Sequence, residues 1–133
     1  MKVAIAAGGR FHALHLAHQL EKRNYLKKLF TFGYTKNDRN SVSNNFVCEH
    51  KFGKILDDYF FKLRLYKFLN KSNFNTVKDN IFDSWLKKNI RKVEEVDIFV
   101  GWANYFLKSL PEIRKTGAKI IVESGSTHIL EQQ

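Results

Sequence analysis

Two turns and one tryptophan carry the residue types that could do chemistry in this chain. The first turn is Gly8-Gly9-Arg10, with His12 close behind it. It follows the apolar run Val3-Ala4-Ile5-Ala6-Ala7 and precedes an amphipathic pattern containing His15 and His18. That order reads as strand, glycine turn, helix. The first N–H groups of such a helix lack partners and carry partial positive charge, so they suit an anion. Gly8 and Gly9 let a ligand approach the backbone closely, and Arg10 can pair with a phosphate or carboxylate. The plain alternative is a structural turn with a solvated arginine.

The second turn is Glu123-Ser124-Gly125-Ser126-Thr127-His128, after the apolar run Lys119–Glu123. A carboxylate, hydroxyls and an imidazole converge there. His128 suits a general base or a hydrogen bond to a substrate hydroxyl, and Glu123 can orient it or bind a sugar hydroxyl. Ser126 or Thr127 can equally cap a helix starting near His128. Trp102, at the end of another apolar run, offers either a platform for a sugar ring or a core side chain. In α/β proteins ligands bind beyond the carboxyl ends of the strands, so all three groups are expected on one edge of a sheet.

No cofactor is implied. The dinucleotide signature G-x-G-x-x-G is missing, because the next glycine after Gly9 is Gly33. His12, His15 and His18 recur at helical spacing without a clear carboxylate partner, so no metal is expected. His15 and His18 are expected to pack at the edge of the sheet.

The elements that must hold these groups follow from periodicity. Strands are expected over Lys2–Ala7, Leu29–Tyr34, Phe46–Cys48, Asp97–Trp102 and Lys119–Glu123. Helices are expected over Arg10–Arg23, Lys54–Leu69, Thr76–Val93 and Tyr105–Thr116, with Thr35–Asn45 a polar loop and Asn70–Asn75 a break. Gly117 reads as a helix stop. The aromatic residues of the helix over Lys54–Leu69, Tyr59, Phe60, Tyr66 and Phe68 among them, have the spacing of a core face. Lys54, Lys62, Arg64, Lys67 and Lys71 flank them, which leaves an amphipathic helix lying on lipid as the other reading. Strands alternating with helices give an α/β fold: a Rossmann-like parallel sheet with helices on both faces.

At 133 residues, 44% hydrophobic and 14% aromatic, the chain fits one domain with a packed core. A single cysteine, Cys48, rules out an internal disulfide framework and fits a reducing, cytoplasmic setting. No run of about 18 apolar residues spans a membrane, and the N-terminus is not a signal peptide. The net charge of +10 favours anionic partners: a nucleotide, nucleic acid or an acidic lipid surface. No nucleic-acid motif accompanies it. The helix pattern that starts at Ile129 stops at Gln133, so a fragment of a longer protein is expected.

Taken together, the two turns resemble the N-terminal half of family 4 glycosyltransferases of the GT-B fold. MKVAIAAGGRFHALHLAHQLEKRN is similar to their first strand, glycine loop and first helix. DIFVGWANYFLKSLPEIRKTGAKIIVESGSTHILEQQ is similar to their later strand–helix–strand and its Ser/Gly-rich turn. The resemblance covers the two ends of the chain; from about Thr35 to Val93 only the helical character agrees. It implies the acceptor-side domain of an enzyme that moves a sugar, with retention, from a nucleotide-sugar donor to a sugar, lipid or protein acceptor. Gly8, Gly9, Arg10, His12, Trp102, Glu123, Ser124 and Ser126 would then touch substrate or donor, and His128 would lie at the reaction centre. Most donor contacts belong to a C-terminal domain that this sequence lacks, so the chain alone is expected to be inactive. Contact with an anionic membrane at the inner surface is compatible with this reading. The alternative is a non-catalytic flavodoxin-like module that binds a nucleotide or a protein.

Overall fold

In the computed structural model the described residues are 1–8, 12–34, 42–64, 67–68 and 70–124, less the side chains at 54, 57, 61 and 71. Five strands form one sheet: β1 (Val3–Ala7), β2 (Leu26–Phe32), β3 (Val47–His50), β4 (Ile98–Trp102) and β5 (Lys119–Glu123). Their order is β3-β2-β1-β4-β5 and every neighbouring pair is parallel. β1 lies at the centre, and all five of its residues are buried. This is why its sequence is continuously apolar rather than alternating: a central parallel strand is covered on both faces.

The helices divide between the faces. α1 (Ala13–Lys22) joins β1 to β2 and sets Ala13 and Ala17 against Val3, Ile5, Ala7, Leu29 and Val100. The other face carries α3 (Lys71–Ile90) and α4 (Leu110–Lys115), whose Phe82, Leu86, Ile90 and Ile113 meet Ala4, Ala6, Phe30 and Phe99. Ala4 and Ala6 are small where Phe30 and Phe82 are large, which lets the layers interdigitate. The fold is α/β and Rossmann-like, with helices on both faces.

Several boundaries differ from the sequence expectation. β2 starts at Leu26, three residues before the apolar run, and takes in Lys27 and Lys28. These lysines are half-buried along their stems while their ends reach Glu95 and the Asn45 carbonyl. α3 starts at Lys71, inside the expected break, because the Asn70 side chain caps it by accepting from the Ser72 N–H at 3.2 Å. α4 starts at Leu110 rather than at Tyr105, with Pro111 in its first turn. α2 (Phe52–Lys62) is shorter than the expected helix.

Two packing expectations also change. The α2 aromatics split: Phe60 is buried and stacks on Phe74 at 3.8 Å, whereas Tyr59 is exposed. β5 has the bounds expected of it, yet Ile121 and Val122 are exposed, because β5 is an edge strand flanked on one side only.

Candidate functional site

Because the strands are parallel, their carboxyl ends share one edge. The chain runs from β1 outward through β2 to β3, then crosses back to β4 on the other side of β1. The switch point therefore lies between β1 and β4, where the crevice of an α/β sheet opens. Gly8 leaves β1 at that point and Trp102 ends β4 beside it. Glu123 ends β5 in register with Trp102, and its carbonyl accepts the Ala103 N–H at 2.8 Å. The structure thus brings Gly8, Trp102, Glu123 and Ser124 to one edge. Two strand spacings, roughly 10 Å, separate the ends of β1 and β5. Gly9, Arg10, Ser126 and His128 lie outside the described residues.

His12 stands exposed at the N-cap of α1, in a helical conformation and with no side-chain cap. No acidic residue occupies the first turn of α1. The first N–H groups of a helix find no acceptor in its later turns, and their partial positive charge points towards the edge where β1 ends. His15 is exposed on α1 rather than packed at the sheet edge as expected; His18 is half-buried. Position 15 falls on the helix face turned from Ala13 and Ala17, which explains the difference.

Trp102 is a correction. It is only 5% exposed and belongs to the layer beneath α1, with Val100 and Ala13, so it presents no free ring to a sugar. An apolar strand end next to the central strand is a core position, and a large ring there buries most area.

The group that does occupy the switch point was not singled out from sequence. Tyr105 packs on Gly8 so closely that a Cβ added there would lie 2.2 Å from the ring carbon Cε1. Gly8 thus admits a side chain of the same protein. Tyr105 also meets Phe82 edge-on at 5.8 Å, and it bridges both core layers. Burial, then the nearby Asp79 carboxylate, pushes its phenol above the usual range. Its backbone is fixed by a turn in which its N–H donates to the Trp102 carbonyl and Asn104 adopts a φ of 76°. The same loop is anchored by the buried Asp83 of α3, whose carboxylate accepts the backbone N–H groups of Lys108 and Ser109.

His50, the last residue of β3, is a second residue without a sequence signal. Its ring meets Phe32 and Trp85 edge-on, each at 5.2 Å, and Nδ1 is buried without a hydrogen-bond partner among the described residues. Burial lowers its pKa, so the ring is neutral at pH 7. Beside it an open depression of about 540 Å³ is lined by Asn80, Ser84, Trp85, Lys88 and Lys108 among others. Two ammonium groups and two uncharged polar side chains suit an anion, and the neutral His50 adds no charge. Both residues owe their roles to tertiary neighbours that no local motif announces.

The class that this fold defines is an α/β protein with a Rossmann-like parallel sheet whose switch point lies between β1 and β4. Compared with known protein families, curated proteins and solved structures, the chain matches none.

Proposed function

We propose that the chain is the acceptor-side domain of a sugar transferase using a nucleotide-sugar donor. The observation that carries this reading is one shared edge: Gly8, the start of α1 and the Glu123–Ser124 turn flank the switch point of a parallel sheet. The chemistry is consistent with it. A leaving diphosphate gathers negative charge, and helix N–H donors held in advance stabilise that charge without reorganising. Arg10 adds a guanidinium suited to phosphate. By resemblance, His128 meets the transferred sugar, and Glu123 and Ser126 bind hydroxyls. Tyr105 closes the crevice floor, so the ligand lies above the ring rather than against Gly8. By the same resemblance, the donor wall belongs to a second domain.

In the longer polypeptide that this reading requires, His128→Ala lowers sugar transfer by about 100-fold or more, the usual scale for losing a positioned acid–base group. Near-normal transfer by that variant overturns the role of His128. The chain by itself binds nucleotide sugars weakly, in the millimolar range, because most donor contacts are elsewhere. Micromolar binding in a calorimetric titration favours the flavodoxin-like binding module instead.

A further inference from the structure

α2 carries an apolar stripe that nothing in the described structure covers. Phe52, Ile55, Tyr59 and Leu63 recur at helical spacing and run along one side of the helix. Their exposure ranges from 46% at Ile55 to 66% at Phe52, and Phe68 just beyond the helix reaches 85%. Burial on α2 falls on the adjoining rows, at Gly53 and Phe60. The stripe is therefore a second apolar face rather than the fringe of the core. Four large exposed side chains in one line, with Phe68 exposed beyond the helix, exceed the scattered apolar residues of an ordinary surface.

Charge decides between possible occupants. Lys51, Lys62, Arg64 and Lys67 are all exposed around the stripe, against Asp58 among the described acidic side chains of α2. The whole chain adds a net charge of +10. A second copy would bring the same positive charges against these, which is repulsive. An anionic bilayer supplies both what the stripe needs and what the lysines need: apolar depth beneath a negative surface.

We infer that α2 docks the protein on an anionic lipid surface, with Phe52, Ile55, Tyr59, Leu63 and Phe68 in the headgroup–acyl boundary. Lys51, Lys62, Arg64 and Lys67 lie at headgroup level, where their long stems reach the phosphates. α2 begins at Phe52, one residue past His50, the carboxyl end of β3. Docking therefore brings the edge that holds the switch point close to the bilayer. The inference does not depend on sugar transfer, and its test contains no sugar.

The test is cosedimentation of the intact chain with vesicles of phosphatidylcholine alone and with one third phosphatidylglycerol. Binding is expected only to the anionic vesicles, falling steeply as salt rises from about 0.01 M to 0.15 M. Tyr59→Ser with Leu63→Ser is expected to lower binding at least tenfold. Lys62→Glu with Arg64→Glu and Lys67→Glu is expected to lower it by about 100-fold or more. All substituted side chains are exposed, and circular dichroism checks that each variant keeps the native fold. In a separate Tyr59→Trp variant, brominated lipid chains quench the new indole. Absent binding, equal binding to neutral vesicles or unchanged binding by both multiple variants overturns the inference. So does a dimer in analytical ultracentrifugation that Tyr59→Ser with Leu63→Ser dissolves, which assigns the stripe to a second copy.

Discussion

Gly8 and Tyr105 form one unit, because the ring lies where any side chain at position 8 would begin. Gly8→Ala must therefore move a half-buried ring that also packs on Phe82. The cost expected for such overpacking is about 1–3 kcal/mol, read as a lower urea midpoint at unchanged slope. Tyr105→Ala opens the space, so Gly8→Ala in that background is expected to cost little. Additive losses in the double variant would show that the contact is not the cause. The same pair explains what sequence can and cannot announce at this scale. Gly8 stands out because a glycine after an apolar run marks a turn. Tyr105 and His50 do not stand out, because their neighbours come from α3 and β2, far away in the chain. Trp102 was visible as a ring at a strand end, but whether it faces solvent depends on α1 lying above it.

Elements were legible where a local rule decides them. β5 is bounded as its apolar run is bounded, and Gly117, with a φ of 77°, stops α4 as a glycine after a helix should. Where a distant group decides, the sequence pattern misleads. The stretch before α4 has helical spacing from Tyr105 onward, yet Asp83 draws the N–H groups of Lys108 and Ser109 to its own carboxylate. Those two donors are thereby satisfied outside the helix, and α4 begins only at Leu110. Asp83→Ala removes the acceptor of the buried Ser109 N–H and of the part-buried Lys108 N–H and is expected to cost about 2–4 kcal/mol in chemical denaturation. Asp83→Asn keeps one accepting oxygen and should fall between the two. Equal stability of all three proteins would remove Asp83 as the anchor of this loop. The α2 stripe was legible only as two alternatives, a core face or a helix lying on lipid, for a related reason. Apolar spacing reports that a face avoids water, and says nothing of whether sheet or lipid covers it.

At the scale of the whole molecule, sheet order links these observations. Placing β1 between β2 and β4 makes its end the switch point, and it leaves β5 with an exposed edge. Sequence alternation predicted the parallel sheet, but the order β3-β2-β1-β4-β5 was beyond its reach. Net charge acts at this scale as well. A surplus of ten positive charges repels itself in the compact state and relaxes when the chain expands. The Arg91–Glu112 and Lys27–Glu95 pairs are exposed on at least one partner and offset little of that repulsion. Sodium chloride shortens the screening length from about 30 Å at 0.01 M to about 8 Å at 0.15 M. The melting temperature is therefore expected to rise by a few degrees over that range; in a chain of this size about 1 kcal/mol corresponds to roughly 4 °C. A melting temperature that falls instead means that attractive pairs outweigh the surplus. The sign matters for α2 too. Salt that stabilises the isolated fold by screening is the same salt expected to release it from an anionic surface, so the two responses must run in opposite directions if one positive field produces both.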